Sequence, residues 1–380
     1  MAATSRQVTD LEKVLRLLET RMTWTMGAKV LEAAALDKSR GWDESIRRCV
    51  QRTMDGSFRT RVQESLEGAL ARHILVGGKQ VIWYDWERLS DGDRADVRRW
   101  AETVRTSRLV GEEDEFRLIE TPYLQPALRP LHGQLPRLVR ARRAGQRLTL
   151  LFSSARSFTT RENIDLTGMT AQQRQRFEDY LEVIGVKARI IPCFDVVVFD
   201  LAKNRVEVRM DRQPGIKSDG QDAAFSQILE HLNRMILQDT GHQPLGIGLV
   251  DFFPAVNRLY LDPSAGLVEM LGFVATSADR SSNNRGLVHR REDQDLRVDP
   301  FHVGGKNAVG TVEPYTIGVS AESLSGIDRL HLELRGNARA LFGPATARSI
   351  THASFDGCAT DADFDLLTSL LEDHLTDQPA

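Results

Sequence analysis

Apolar residues at Leu11, Val14, Leu15 and Leu18, and again at Val30, Leu31, Ala34 and Leu36, recur about every 3.6 residues; Ile46, Cys49 and Val50 continue the series. This period places one apolar stripe along a helix, so residues 1–72 read as helical. The stretch Val76-Gly-Gly-Lys-Gln-Val-Ile-Trp-Tyr84 then reads as a glycine turn followed by an apolar, aromatic strand. Helices ending in such a hairpin suit a winged-helix module, with Arg47, Arg48, Arg52, Arg59 and Arg61 as its basic side chains. The same string fits any small helical domain with one hairpin. Residues 91–104 predict a further helix, with Asp91, Asp93 and Asp96 near its positive N-terminal end.

From Glu112 onward the helical period gives way to short apolar runs and alternation. Strands are predicted at 148–152, 188–199, 205–210, 246–253, 258–261, 267–276, 315–320 and 330–334, and helices at 170–184, 222–237 and 361–374. The expected fold is α+β: a mainly helical N-terminal domain over 1–115 and a larger domain over 116–380, with a mixed or antiparallel sheet and packed helices. Two of the helices open alike, Asp222-Ala-Ala-Phe225 and Asp361-Ala-Asp-Phe364, each after a strand-turn-strand segment. An internal duplication of about 116–240 and 241–380 would account for this.

Composition narrows the setting. No apolar run approaches the roughly 18 residues of a membrane span, and charged residues from Arg6 to Arg16 replace a signal-peptide core, so a cytoplasmic protein without a membrane partner is expected. Cys49, Cys193 and Cys358 lie far apart and predict neither a disulfide framework nor a zinc site.

Charge changes the picture through its distribution. The chain is −3 overall, yet the segment between Glu120 and Glu162 has no acidic residue and eight arginines, which leaves −11 for the remainder. At its centre, Pro136 and Gly145 bracket a stretch that reads as a short helix presenting Arg137, Arg140, Arg142 and Arg143. Arg147 opens a buried strand, and residues 153–161 read as a hydroxyl-rich loop carrying Arg156. Further along, Arg285, Arg290, Arg291 and Lys306 lie in and around two polar loops. Gly304-Gly305-Lys306 fails as a Walker A loop because Pro300 and Asn307 occupy the first-glycine and Ser/Thr positions, and it is expected as a cationic glycine turn.

Guanidinium groups, hydroxyls and loop amides are the usual donors to phosphate oxygens. The ten basic residues therefore predict a non-enzymatic protein that binds DNA or RNA backbone without base specificity and needs no cofactor. It would belong with a protein partner in a bacterial DNA-maintenance or phage-defence assembly. One alternative is a magnesium-dependent nuclease, in which Asp195 and Glu207 on a hairpin share a metal and Arg209 stands where a lysine would orient water. The other is a regulatory subunit whose arginines dock an acidic protein. No GxSxG or GxGxxG pattern and no histidine spacing for metal is present.

Overall fold

The structure, a computed structural model, describes residues 10–52, 54–104, 132–180, 182–212, 218–241, 248–276, 283–290, 293–309, 311–342 and 348–375. Its strands are β1 (Lys79–Asp85), β2 (Arg137–Ala144), β3 (Arg147–Asn163), β4 (Ile184–Asp200), β5 (Arg205–Asp211), β6 (Leu267–Thr276), β7 (Asn283–Arg290), β8 (Thr311–Glu322), β9 (Arg329–Arg335) and β10 (Ala353–Asp356). They form one ten-stranded sheet in the order β2-β3-β4-β5-β1-β10-β9-β8-β6-β7. Every neighbouring pair is antiparallel.

Helices α1 (Asp10–Arg21), α2 (Trp24–Ala33), α3 (Trp42–Gln51) and α4 (Gly56–Val76) follow from the apolar stripe noted above. Two of their starts are fixed by side-chain caps, Thr23 for α2 and Asp55 for α4. Residues opposite one another on neighbouring strands share a face, which sorts the layers. On the front face, Leu151, Phe194, Val196 and Val198 pack under α1–α4. On the back face, Phe152, Val197, Phe199, Val206 and Val208 pack under α5 (Asp91–Thr103) and α7 (Ser218–Thr240).

Beyond β1 the layering changes. The front face of β10, β9, β8 and β6 is buried under α8 (Phe253–Leu261) and α10 (Asp361–Asp373) through Val256, Leu259, Phe364, Leu367 and Leu371. A capping box between Thr360 and Asp363 starts α10. The back face there carries His331, Glu333 and Arg335, a polar surface instead of a core.

Several expectations need correction. β1, assigned to a helical N-terminal domain, lies at the centre of the sheet between β5 and β10, so it belongs to the same sheet as the later strands. The arginine helix at 136–144 is the edge strand β2; Gly145, at φ 58°, is the turn to β3 and not a helix cap. The hydroxyl-rich loop is a continuation of β3. The strand expected at 258–261 is the end of helix α8, and in 246–253 Leu249 makes an isolated bridge to Tyr84 before Phe253 opens α8. The helix expected at 170–184 shortens to α6 (Ala171–Arg174) and a single 3-10 turn, Gln175–Phe177. The glycine turn is helix α9 (Pro300–Ala308), capped by Asp299 with Pro300 in its first turn.

Candidate functional site

Among the described residues β2 is paired only with β3, and β7 only with β6, so they are opposite edges of the sheet. Nine strand spacings separate them, on the order of 40 Å. The expected basic residues therefore do not form one patch. Arg137, Arg140, Arg142 and Arg143 lie on β2, whereas Arg285 and Arg290 lie on β7 and Lys306 on α9. Arg291 and the side chain of Arg285 lie outside the described residues. Lys306 is exposed, with Nζ 5.1 Å from the centre of the Tyr260 ring.

Several of these residues have structural employment. Arg143 donates to the backbone carbonyl oxygens of Ala101, Glu102 and Val104, finishing the C-terminal end of α5. Arg147 pairs with Asp200 at 3.0 Å and Asp365 at 3.3 Å. Arg156 is buried and paired with Asp195. In contrast, among the described residues Arg142 is exposed with no ion-pair partner, and Arg137 is exposed and donates to the Gln134 side chain, at 3.2 Å.

The edge continues into an arm. β3 and β4 pair over their full 17 residues, but β2 reaches only Ser153 and β5 only Val196. Residues 154–163 and 184–193 thus form a two-stranded ribbon projecting about 30 Å at 3.4 Å per residue. On its front face, Ser157, Thr159, Arg161 and Asn163 stand opposite Ile190, Ala188, Val186 and Ile184. Arg137 opposes Ser153 at the foot of the ribbon, and a bulge after Leu138 turns Arg140 and Arg142 onto the same face. From Arg142 to Asn163 this front edge has no carboxylate. Glu162 points to the back, where Arg189 meets it at 2.6 Å.

A different chemistry occupies the strand ends where β1 begins and β5 finishes. Asp211 is fully buried and accepts from Arg21 Nη1 and Nη2 at 3.0 and 2.8 Å, from Lys79 Nζ at 3.1 Å and from the Phe194 amide at 2.9 Å. Burial opposes its ionisation, but Arg21 and Lys79 hold its carboxyl well below the usual range. Asp195 accepts from Arg156 and, at 2.8 Å, from the Asp211 amide. His73 is sealed above the cluster; burial, with Arg21 nearby, lowers its pKa to about 3. Sequence reasoning missed Arg21, His73, Lys79 and Asp211 as a unit, since Arg21 and Asp211 are 190 positions apart.

The carboxylate hairpin does not form the expected metal site. Asp195 shares the back face with Phe152, whereas Glu207 shares the front face with Val198. Glu207 is bound by Arg209 Nε at 2.6 Å and by Trp83 Nε1 at 2.8 Å, while the Arg209 guanidinium stacks 3.7 Å from the Phe364 ring centre. Among the described residues, no three His, Cys, Asp or Glu side chains are grouped to hold a metal ion. The three cysteines are buried free thiols, and no described helix is long and apolar enough to cross a membrane. No family model matches the chain, and no curated protein matches its sequence.

Proposed function

We propose that the protein is a non-enzymatic binder of nucleic-acid backbone that uses the front edge of β2 and the β3–β4 ribbon. The observation that carries this reading is the acid-free face from Arg142 through Arg137 to Arg161, with the hydroxyls of Ser157 and Thr159 between. Exposed arginines and hydroxyls along an edge can donate to phosphate oxygens. A two-stranded ribbon fits the major groove of B-form DNA, whereas the A-form major groove is too narrow, so duplex DNA is the preferred form. We read the binding as led by phosphate contacts and independent of sequence.

The test is fluorescence anisotropy of duplex DNA, single-stranded DNA and duplex RNA at several salt concentrations, on wild type and Arg137→Ala/Arg142→Ala/Arg161→Ala. The slope of log affinity against log salt should become shallower by about 0.9 for each phosphate contact removed. Absence of binding at low salt, or a variant that binds like wild type, would overturn the proposal. One observation favours a protein partner instead: Ile184 and Val186 on the same ribbon face are 50% and 68% exposed. On that reading Val186→Asp would abolish a complex with the partner and DNA would not bind at all.

A further inference from the structure

The β3–β4 ribbon changes character along its length. Its foot carries Arg137, Arg140 and Arg142, with no carboxylate on the front edge. The tip that joins its strands, residues 164–183, carries Asp165, Glu178, Asp179 and Glu182 against Arg174 and Arg176, and all six are exposed. One end of the arm is therefore positive and the other negative. Lys187 and the Arg189–Glu162 pair face the back, away from this gradient.

Between the two ends lies an apolar row. Ile184, Val186, Ala188 and Ile190 of β4 occupy the front face, and Ile184 and Val186 are 50% and 68% exposed. Among the described residues, the helix layer over this face reaches Phe194 and leaves the row bare. A two-stranded ribbon by itself is marginal in water, and packing one of its faces stabilises it.

A ligand of a single sign suits one end of the arm and not the other. A second copy laid antiparallel suits both, because each tip then comes over the other copy's foot. With the two-fold axis at Ala188, which opposes Thr159, Val186 meets Ile190 of the second copy and Arg161 meets its Ser157 hydroxyl. The tip then lies over Ser153, the residue that Arg137 opposes at the foot. A ribbon face of about 30 Å by 10 Å offers only about 300 Å² on each copy. That is well below the roughly 800 Å² of a stable dimer, so the contact is weak and reversible.

We infer that the ribbon is a self-association arm: two copies pair antiparallel through their front faces, with the apolar row at the centre and tip carboxylates on foot arginines at both ends. The inference does not rest on the DNA reading. It names a second copy as the partner of the exposed row, and it makes duplex DNA and that copy competitors for Arg137 and Arg142.

The experiment is sedimentation equilibrium of the full chain without nucleic acid, up to about 500 μM, at low and high salt. Wild type should pass from monomer to dimer as concentration rises, and salt should weaken the dimer because its end contacts are exposed. Val186→Asp changes a side chain already exposed, so it should melt like wild type and dimerise at least about tenfold more weakly. Arg137→Glu/Arg142→Glu turns the foot negative like the tip, and Glu178→Lys/Asp179→Lys/Glu182→Lys turns the tip positive like the foot, so either set alone should leave a monomer. Both sets in one chain exchange the signs of the two ends and should restore the dimer. A wild type that is monomeric at the highest concentration in low salt, a Val186→Asp variant that dimerises like wild type, or a folded double set that stays monomeric would overturn the inference. Because no DNA is present, failure here leaves the DNA face standing. The tip variant, whose foot is intact, should bind duplex DNA at least as tightly as wild type, and a dimer without that binding would show that the DNA reading alone had failed.

Discussion

Arg21 and Arg142 have the same side chain and opposite surroundings. Arg21 is sealed at the strand ends, bidentate to a carboxylate 190 positions away and stacked 5.3 Å from the Phe194 ring centre. Arg142 stands on the outermost strand with no ion-pair partner among the described residues. A buried charge must be matched, because its desolvation is repaid only by a close partner, whereas an exposed one stays hydrated and free to meet a ligand. In a chain with 42 arginines against eight lysines, counting the residue conveys little; its position in the sheet decides whether it holds the fold or faces outward.

The largest expected effect comes from breaking the buried side of this contrast. Asp211→Ala leaves Arg21 and Lys79 as buried cations without their shared carboxylate, and should lower unfolding stability by about 3–5 kcal/mol. Urea denaturation at neutral pH reads this directly. A loss below about 1 kcal/mol would mean that the cluster is hydrated and that the contrast with Arg142 is one of degree.

Acid sharpens the contrast by a smaller amount. His73 is neutral in the fold, with a pKa lowered from 6.5 to about 3, so below about pH 6.5 the unfolded chain takes up a proton that the native state refuses. Its contribution is fully present above that pH and is lost as pH falls, at about 1.4 kcal/mol per unit. Between pH 6.5 and 5 the loss is therefore about 2 kcal/mol. Asp211, with its depressed pKa, adds a loss only at lower pH, as the unfolded carboxylate begins to bind protons. Denaturation at pH 7 and pH 5 should show the drop in wild type and a much smaller one in His73→Gln. Equal drops would place the responsible group elsewhere.

How much of this could be read along the chain depended on how local the cause was. Helices α7 and α10 were legible because an aspartate near the start and apolar positions at 3.6 spacing lie within each segment. α9 carried its own signal in Asp299-Pro300, but Gly304-Gly305 pulled the reading toward a turn. β2 misled because Pro136 and Gly145 satisfy helix start and stop rules, while the bulge after Leu138 spoils the alternation that marks a strand. The β3 side of the arm read as a loop because its serines and threonines are polar, although threonine's branched side chain favours extended backbone. The acid-free run was visible and falls on the acid-free ribbon face, yet its separation from β7 follows only from strand order. The buried cluster was hidden because its members come from α1, α4, β1, β3, β4 and β5, and no spacing rule joins them.

The smallest expected change in stability is also the one that tests the exposed side of the contrast. Arg142→Glu reverses a charge on an edge strand where neither the core nor any ion pair among the described residues depends on it, so stability should stay within about 0.5 kcal/mol of wild type. Arg142 opposes Thr149 on β3, an uncharged partner that sets up no like-charge pair with a glutamate across from it. Duplex DNA affinity should nevertheless fall more than for Arg142→Ala, because a carboxylate on the ribbon face repels phosphate as well as removing a contact. Measuring anisotropy and urea denaturation on the same preparation keeps the two readouts comparable. A stable protein with weakened, less salt-sensitive binding assigns Arg142 to the ligand. A destabilised one would place it with Arg21 among the residues that hold the sheet together, and the proposed face would have to be drawn from Arg137 and Arg161 alone.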